Sequence, residues 1–228
     1  DYDTRYQAAN AYLTYTPKLG ADHDLTVLAG WNIEDQVYKT LTVSRTGFVT
    51  PNKPSFSLMN GVAENPTAGG NAWSYVGAFY RVNYGYKGKY LVEVSGRYDG
   101  SSKFPKDNRW AYFPSASAAW GFGEEKFVKN VKWISSGKLR AGIGTTGNNR
   151  VTDYAALTAL QITADSGYST GNTPGKGVVP KTLGNPKLKW ETTVQTNIGL
   201  DMSFWDNRIS LTADYYYKKT KDLLLNAT

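Results

Sequence analysis

Between Tyr80 and Phe104 the chain reads YRVNYGYKGKYLVEVSGRYDGSSKF, and its apolar residues recur at every second position. In an extended chain successive side chains point to opposite sides. Tyr80, Val82, Tyr84, Tyr86, Tyr90, Val92, Val94 and Tyr98 therefore share one face, while Arg81, Asn83, Glu93, Ser95, Arg97 and Asp99 share the other. A three-residue loop of Lys87, Gly88 and Lys89 sets Tyr86 opposite Tyr90, Tyr84 opposite Val92 and Val82 opposite Val94. A two-residue loop would place apolar residues against polar ones, so the pattern predicts the longer turn, with Gly88 in the left-handed region.

The same period dominates the whole chain and helical periodicity is nearly absent, which predicts an all-β protein. The clearest strands are Thr4 to Thr16, Asp24 to Glu34, Trp73 to Tyr86, Tyr90 to Asp99, Arg109 to Phe122, Lys138 to Thr146, Lys189 to Phe204 and Arg208 to Lys218. Several are longer than the five or six residues usual in soluble sandwiches, and long enough for a tilted membrane strand of about 9 to 11 residues. In the last hairpin the apolar positions change parity, from Val194, Ile198, Leu200, Met202 and Phe204 to Ile209, Leu211, Ala213, Tyr215 and Tyr217, which requires an even-numbered turn through Asp206 and Asn207.

Short connections alternate with long ones rich in Gly, Pro, Asn and Ser (35–72, 100–108 and 147–188). Long loops at one end and tight turns at the other is the plan of an antiparallel transmembrane β-barrel. Eight spanning strands satisfy the alternation if VYKTLTVSRTGFVT and DYAALTALQIT are excursions within long loops.

Aromatic content, 14% with 17 Tyr and 7 Trp, sharpens this picture. Tyr84, Tyr86, Tyr90, Trp120, Phe122, Phe204 and Trp205 lie near the short turns, and Tyr98, Trp110, Tyr112, Tyr215 and Tyr217 near the long loops. Two aromatic girdles around an aliphatic band are expected where strands cross two membrane interfaces. Val82, Tyr84, Val92, Val94, Ile198, Leu200 and Leu211 are then the lipid-facing candidates. Arg81, Asn83, Glu93, Arg97, Asp99, Glu191, Asn197 and Asp201 are the lumen-facing ones, each more simply a satisfied wall residue than a contact for cargo.

Charge and motifs exclude more than they add. The formal charge is +7, but Lys and Arg are interleaved with acids, a pattern that argues against nucleic-acid binding. There is no cysteine, hence no disulfide or thiolate site, and the one histidine, His23, reads as a turn residue. No cofactor is expected, and the chain is not expected to be an enzyme. GIGTTG matches the spelling of a dinucleotide-binding loop, yet the polar NNRVTDYAALT follows where a helix would have to start. Asp99, Asp107, Asp153, Glu124 and Glu125 lack a neighbouring base and read as solvated acids. Asn226 begins a glycosylation triplet that carries no weight alone.

The blocks YRVNYGYKGKYLVEVSGRYDGSSKF, NRWAYFPSASAAWGFGEEKF, KLRAGIGTTGNN, NPKLKWETT and NIGLDMSFWDNRISLTADYYYKKTKDLLL, in that order, resemble the barrel of SusC/RagA-type TonB-dependent outer-membrane transporters. The match covers most of the chain from about Trp73, and HDLTVLAGWNIEDQ is similar to the preceding part. The resemblance implies that residues 1–228 are a partial barrel of a longer transporter, without its plug and closing strands. It implies an outer-membrane location and import of glycan oligosaccharides or peptides. The implied partners are a SusD-like surface lipoprotein and, through the N-terminal region, TonB. Two other readings stay open on the residues alone. One is a small closed eight-stranded barrel with a structural or adhesive role; the other is a soluble sandwich with carbohydrate-binding aromatics such as Trp73, Tyr154 and Tyr168.

Overall fold

The structure is a computed structural model that describes residues 2–47, 55, 59, 61, 66–163, 169–170, 173–174 and 177–224. Its strands are β1 (Tyr2–Tyr15), β2 (His23–Thr42), β3 (Thr67–Tyr86), β4 (Tyr90–Ser101), β5 (Trp110–Trp120), β6 (Ile134–Asn148), β7 (Ala159–Thr163), β8 (Ser169–Thr170), β9 (Thr173–Pro174), β10 (Gly177–Thr182), β11 (Glu191–Phe204) and β12 (Ile209–Lys221). Eight form one sheet in the order β1-β2-β3-β4-β5-β6-β11-β12, with every neighbouring pair antiparallel. These are the eight spanning strands expected from the alternation.

Both predicted turns are present. Tyr86 pairs with Tyr90, Tyr84 with Val92 and Val82 with Val94. Gly88 is left-handed at φ 65°, and Lys87 is too at φ 54°, which the alternation alone did not indicate. The Lys89 amide closes the turn on the Tyr86 carbonyl at 3.0 Å. In the last hairpin Phe204 pairs with Ile209, so the turn has the required even length. Its residues Trp205, Asp206 and Asn207 all have positive φ.

The expected loop over 35–72 is corrected. β2 continues to Thr42 and β3 begins at Thr67, in one unbroken register from His23 opposite Tyr86 to Thr42 opposite Thr67. Gly69, Gly70 and Asn71 read as loop by composition, but their ladder to Thr40, Lys39 and Tyr38 holds them extended. Val37–Thr42 of VYKTLTVSRTGFVT is therefore strand, while Phe48, Val49 and Thr50 lie outside the described residues. In the other segment, β7 pairs with β10 and β8 with β9, apart from the main sheet, as an excursion should. GIGTTG lies within β6 with no helix after it, so the phosphate-loop reading fails.

The two rival folds fail as well. Among the described residues β1 and β12 each pair on one side only, so this is not a closed eight-stranded barrel. Among the described residues no second sheet of comparable size packs on the first, which a sandwich requires. The buried apolar residues that are described are Phe104, Phe113, Val128 and Trp190. Three of them, Phe104, Phe113 and Trp190, meet at the long-loop end, where the Trp190 indole donates to the Arg109 carbonyl at 3.0 Å. A single sheet with so small a core leaves its broad apolar face without protein cover.

Candidate functional site on the two faces of the sheet

Register sorts the side chains into two sets. Val82, Tyr84, Val92, Val94, Ile198, Leu200 and Leu211 fall on one face: Val82 is opposite Val94, Tyr84 opposite Val92, and Leu211 opposite Met202, two residues from Leu200. Val92, Val94, Ile198 and Leu211 are each 42–51% exposed, far more than core aliphatics. Aromatic rings close this band at both ends. At the short-turn end Tyr86 stacks with Tyr90, which pairs with Trp120, and Trp133 stacks on Phe204 at 5.6 Å. His23 joins this row rather than a turn, with Nδ1 2.8 Å from the Tyr84 hydroxyl. At the long-loop end Tyr98 stacks on Trp110 at 5.1 Å, and the Tyr80 and Tyr112 hydroxyls are 2.6 Å apart. Trp31, opposite Ala78, belongs to the same row and extends the girdle onto β2.

Arg81, Asn83, Glu93, Arg97, Asp99, Glu191, Asn197 and Asp201 fall on the opposite face, which carries two hollows. One, of about 500 Å³, is lined from six strands by residues that include Thr26, Asn83, Glu93, Ser117, Arg140 and Asn197. The other, of about 670 Å³, lies nearer the long loops and includes Tyr12, Phe79, Arg81, Ser95, Arg97 and Phe113. Hollows spanning several strands mean that the sheet curls toward its polar side.

The polar residues are mostly paired among themselves. Arg97 donates from Nε and Nη2 to Asp99 at 3.2 and 3.1 Å, and from Nη2 to the Asn32 side-chain carbonyl at 3.1 Å and the Tyr75 hydroxyl at 3.0 Å. Arg81 stands 3.8 Å from Glu93. Asp201 accepts two hydrogen bonds from Arg140 at 2.7 and 3.0 Å, and Arg140 reaches on to Asp214 at 3.0 Å. Glu191 accepts from Asn148 and from the Leu224 amide, and Asn197 accepts from Gln195. The alternation reading missed Arg140, Asn32 and Tyr75. Arg140 was legible from parity, since it lies one residue from Leu139 and Ala141 in a strand whose pairing with β11 the same alternation implies.

Three acids expected to be solvated are not: Glu125, beside the β5–β6 connection, is held by Tyr90, Trp120 and Lys89 with its side chain 19% exposed, and Asp99 and Asp153 are more buried still. Asp99 is 5% exposed beneath Arg97. Asp153 is held in the loop region by Lys103 at 3.1 Å and accepts from Asn71 at 2.6 Å. Asp99 is covered by its strand neighbours Arg97, Tyr75 and Asn32, and Asp153 by loop packing, neither of which alternation foresees. Tyr154 accepts from the Ala72 amide at 3.0 Å and Trp73 lies beside Tyr6, so both are built into the sheet and its loops, and Tyr168 is outside the described residues, as is Asn226. Among the described residues no three His, Asp or Glu side chains stand together as metal ligands. Among the described residues no helix is long and apolar enough to cross a membrane, a statement that does not touch strands.

Known proteins share this arrangement. The family model for the TonB dependent receptor-like β-barrel matches residues 1–228. TonB-dependent receptor P3 of Formosa agariphila is 38% identical over 216 residues, covering 93% of this chain and 21% of that protein. TonB-dependent receptor SusC of Bacteroides thetaiotaomicron is 42% identical over 151 residues, covering 65% of this chain and 15% of that one. The RagAB peptide transporter structure superposes with a TM-score of 0.87 at 28% identity, over 99% of this chain and 25% of that one. The siderophore receptor PirA from Acinetobacter baumannii, at 16% identity and a TM-score of 0.56, shares the fold. This chain spans about a fifth of the length of the curated relatives it matches. It belongs to the TonB-dependent receptor-like β-barrel family, in its SusC/RagA type, and its described residues form a partial, unclosed barrel sheet.

Proposed function

We propose that residues 1–228 form part of one barrel domain of an outer-membrane importer that takes up oligosaccharides or peptides, energised by TonB and capped by a SusD-like surface lipoprotein. The observation that carries this reading is the division of the sheet into an aliphatic face between two aromatic rows and a polar, hollowed face. Lipid is the solvent that such an apolar face fits, because every backbone group of a paired strand is already satisfied. In this reading Val82, Tyr84, Val92, Val94, Ile198, Leu200 and Leu211 meet lipid. Arg81, Asn83, Glu93, Arg97, Asp99, Glu191, Asn197 and Asp201 line the interior. In this reading the long loops open outward toward cargo and lid; the RagAB peptide transporter has the same fold over 99% of this chain.

The test pairs neighbouring positions in the full-length protein. Arg at Val94 is expected to weaken folding into lipid vesicles by about 2–4 kcal/mol, and Arg at Ser95 by much less, since depth-dependent cost applies on the lipid side alone. Equal tolerance at the two positions in a denaturant titration would count against the assignment. Uptake that survives deletion of the lipoprotein lid and of TonB would reject the transport reading independently.

A further inference from the structure

Charge is sparse on the apolar face, and its distribution is uneven. On the side of Val82, Val94 and Leu211, the strands β3, β4, β5, β6 and β11 carry no charged side chain. β1 and β2 carry four there, and these balance: Asp3 lies opposite Lys39, and Arg5, opposite Val37, is the diagonal neighbour of Asp35. β12 differs. From the short turn outward its residues on that side are Ile209, Leu211, Ala213, Tyr215, Tyr217, Lys219 and Lys221. One face of one strand thus runs from aliphatic through aromatic to basic. That is the order of surroundings met by a strand that leaves hydrocarbon, crosses the interface and enters the headgroups.

Nothing on the face offsets these two lysines. Both are exposed, and among the described residues neither is in an ion pair. Lys219 lies opposite Val194 and Lys221 opposite Thr192, which in turn lie opposite Thr145 and Gly147. Asp222, next in the chain, is taken by Lys189 at 2.9 Å. A further strand pairing with β12 would lie alongside it in the plane of the sheet, so this face stays uncovered.

Depth follows from strand geometry. Two residues advance a strand by about 7 Å, and a tilt of about 40° turns that into roughly 5 Å of depth. Lys219 and Lys221 therefore stand about 5 and 10 Å farther out than Tyr217, beside a headgroup layer about 5 to 8 Å thick. A lysine is a compact charge on a flexible stem, so it meets a lipid phosphate by its position and needs no fixed fork.

We propose that Lys219 and Lys221 bind the phosphate groups of lipid headgroups in the outer leaflet, with Tyr215 and Tyr217 setting the depth at which they meet. The site rests on the reading of this face as lipid-facing and of the long loops as outward. Free phosphate offers the same charge, but it has no acyl chains to hold it at that depth.

The experiment titrates the full-length protein in neutral detergent with diphosphoryl lipid A, monophosphoryl lipid A and inorganic phosphate, the bound fraction being read by native mass spectrometry. The wild type is expected to bind the diphosphoryl form most tightly and inorganic phosphate not measurably. Lys219→Gln and Lys221→Gln should each weaken binding of the diphosphoryl form about fivefold, the effect of one basic residue at an anionic surface. Lys219→Arg and Lys221→Arg should keep most of the affinity, because they keep the charge. Lys218→Gln, the same charge change on the opposite face across from Gln195, should leave it unaltered. An affinity unchanged in the double variant Lys219→Gln/Lys221→Gln, or lowered as much by Lys218→Gln, overturns the site. So does inorganic phosphate bound as tightly as the lipid, which would make this an ion site. Spin labels at Leu211→Cys and Thr212→Cys, in lipid vesicles and a background otherwise free of cysteine, separate the two levels. If oxygen dissolved in the lipid relaxes the first label and not the second, the lipid reading stands and an unchanged affinity rejects the phosphate site alone. If the first label is not relaxed, the lipid reading falls and the site with it.

Discussion

Gly77 carries no side chain because the space is taken. A Cβ there would meet Asp99 Oδ1, Asn32 Oδ1 at 2.7 Å and Arg97 Nη2 at 2.9 Å. The residue therefore sits at the centre of the Arg97 network, and its absence of bulk lets β2, β3 and β4 bring those groups together. Gly77→Ala is expected to destabilise the full-length protein by about 1–3 kcal/mol, the usual cost of overpacking. The check is urea unfolding in lipid vesicles. A change within error would mean that the network is looser than its distances imply.

At the scale of elements, the short turns are stitched by side chains rather than left free. Glu125 accepts from the Tyr90 hydroxyl at 2.8 Å and the Trp120 indole at 3.4 Å, and pairs with Lys89 at 3.4 Å. The Gly121 amide donates to the Lys89 carbonyl at 2.6 Å, so the β5–β6 connection is fastened to the end of the β3–β4 hairpin. The Tyr90 hydroxyl is the main cause that holds the Glu125 carboxyl below its ordinary value; burial opposes it as the next largest effect, and Trp120 and Lys89 add to the lowering. A carboxyl with a lower pKa folded than unfolded contributes stability above its ordinary pKa, and loses that contribution as pH falls through the folded value. Wild type should therefore exceed Glu125→Gln in stability at neutral pH, and the gap should close as pH drops below about 4, near the ordinary carboxylate range. Unfolding titrations from pH 7 to pH 3 measure this, and a gap independent of pH would refute the assignment. These elements also mark what the sequence could disclose. Alternation located all eight spanning strands and set both turn lengths, since a one-residue slip would invert every face. It did not disclose that Lys87 joins Gly88 in the left-handed region, because positive φ in a lysine is imposed by the hairpin's twist. Nor did it show Asp153 and Lys103 meeting, since those residues come from loops 50 positions apart in the chain, whose approach depends on the Phe104, Phe113 and Trp190 cluster.

For the molecule as a whole the decisive feature is the pair of open edges. Among the described residues β1 and β12 are each hydrogen-bonded to one neighbour, so each presents a row of unpaired backbone donors and acceptors. Water tolerates such an edge and hydrocarbon does not, because each unsatisfied group there costs several kcal/mol. β12 is 13 residues long and β1 is 14, and both carry exposed tyrosines, Tyr215, Tyr216 and Tyr217 on one and Tyr2, Tyr6, Tyr12 and Tyr15 on the other. The edges are thus both polar in backbone and rich in apolar side chains, the combination that drives pairing with further strands. Expressed by itself and offered lipid vesicles, the 228-residue chain is expected to aggregate or self-associate edge to edge. The full-length protein should insert as a monomeric barrel. Protease protection and electrophoretic mobility before and after heating distinguish the outcomes, since a closed barrel resists digestion and runs as a compact species until boiled. A protected, compact, monomeric band from the 228 residues alone would show that β1 and β12 can satisfy each other, and the reading of this sheet as one sector of a larger barrel would have to be abandoned.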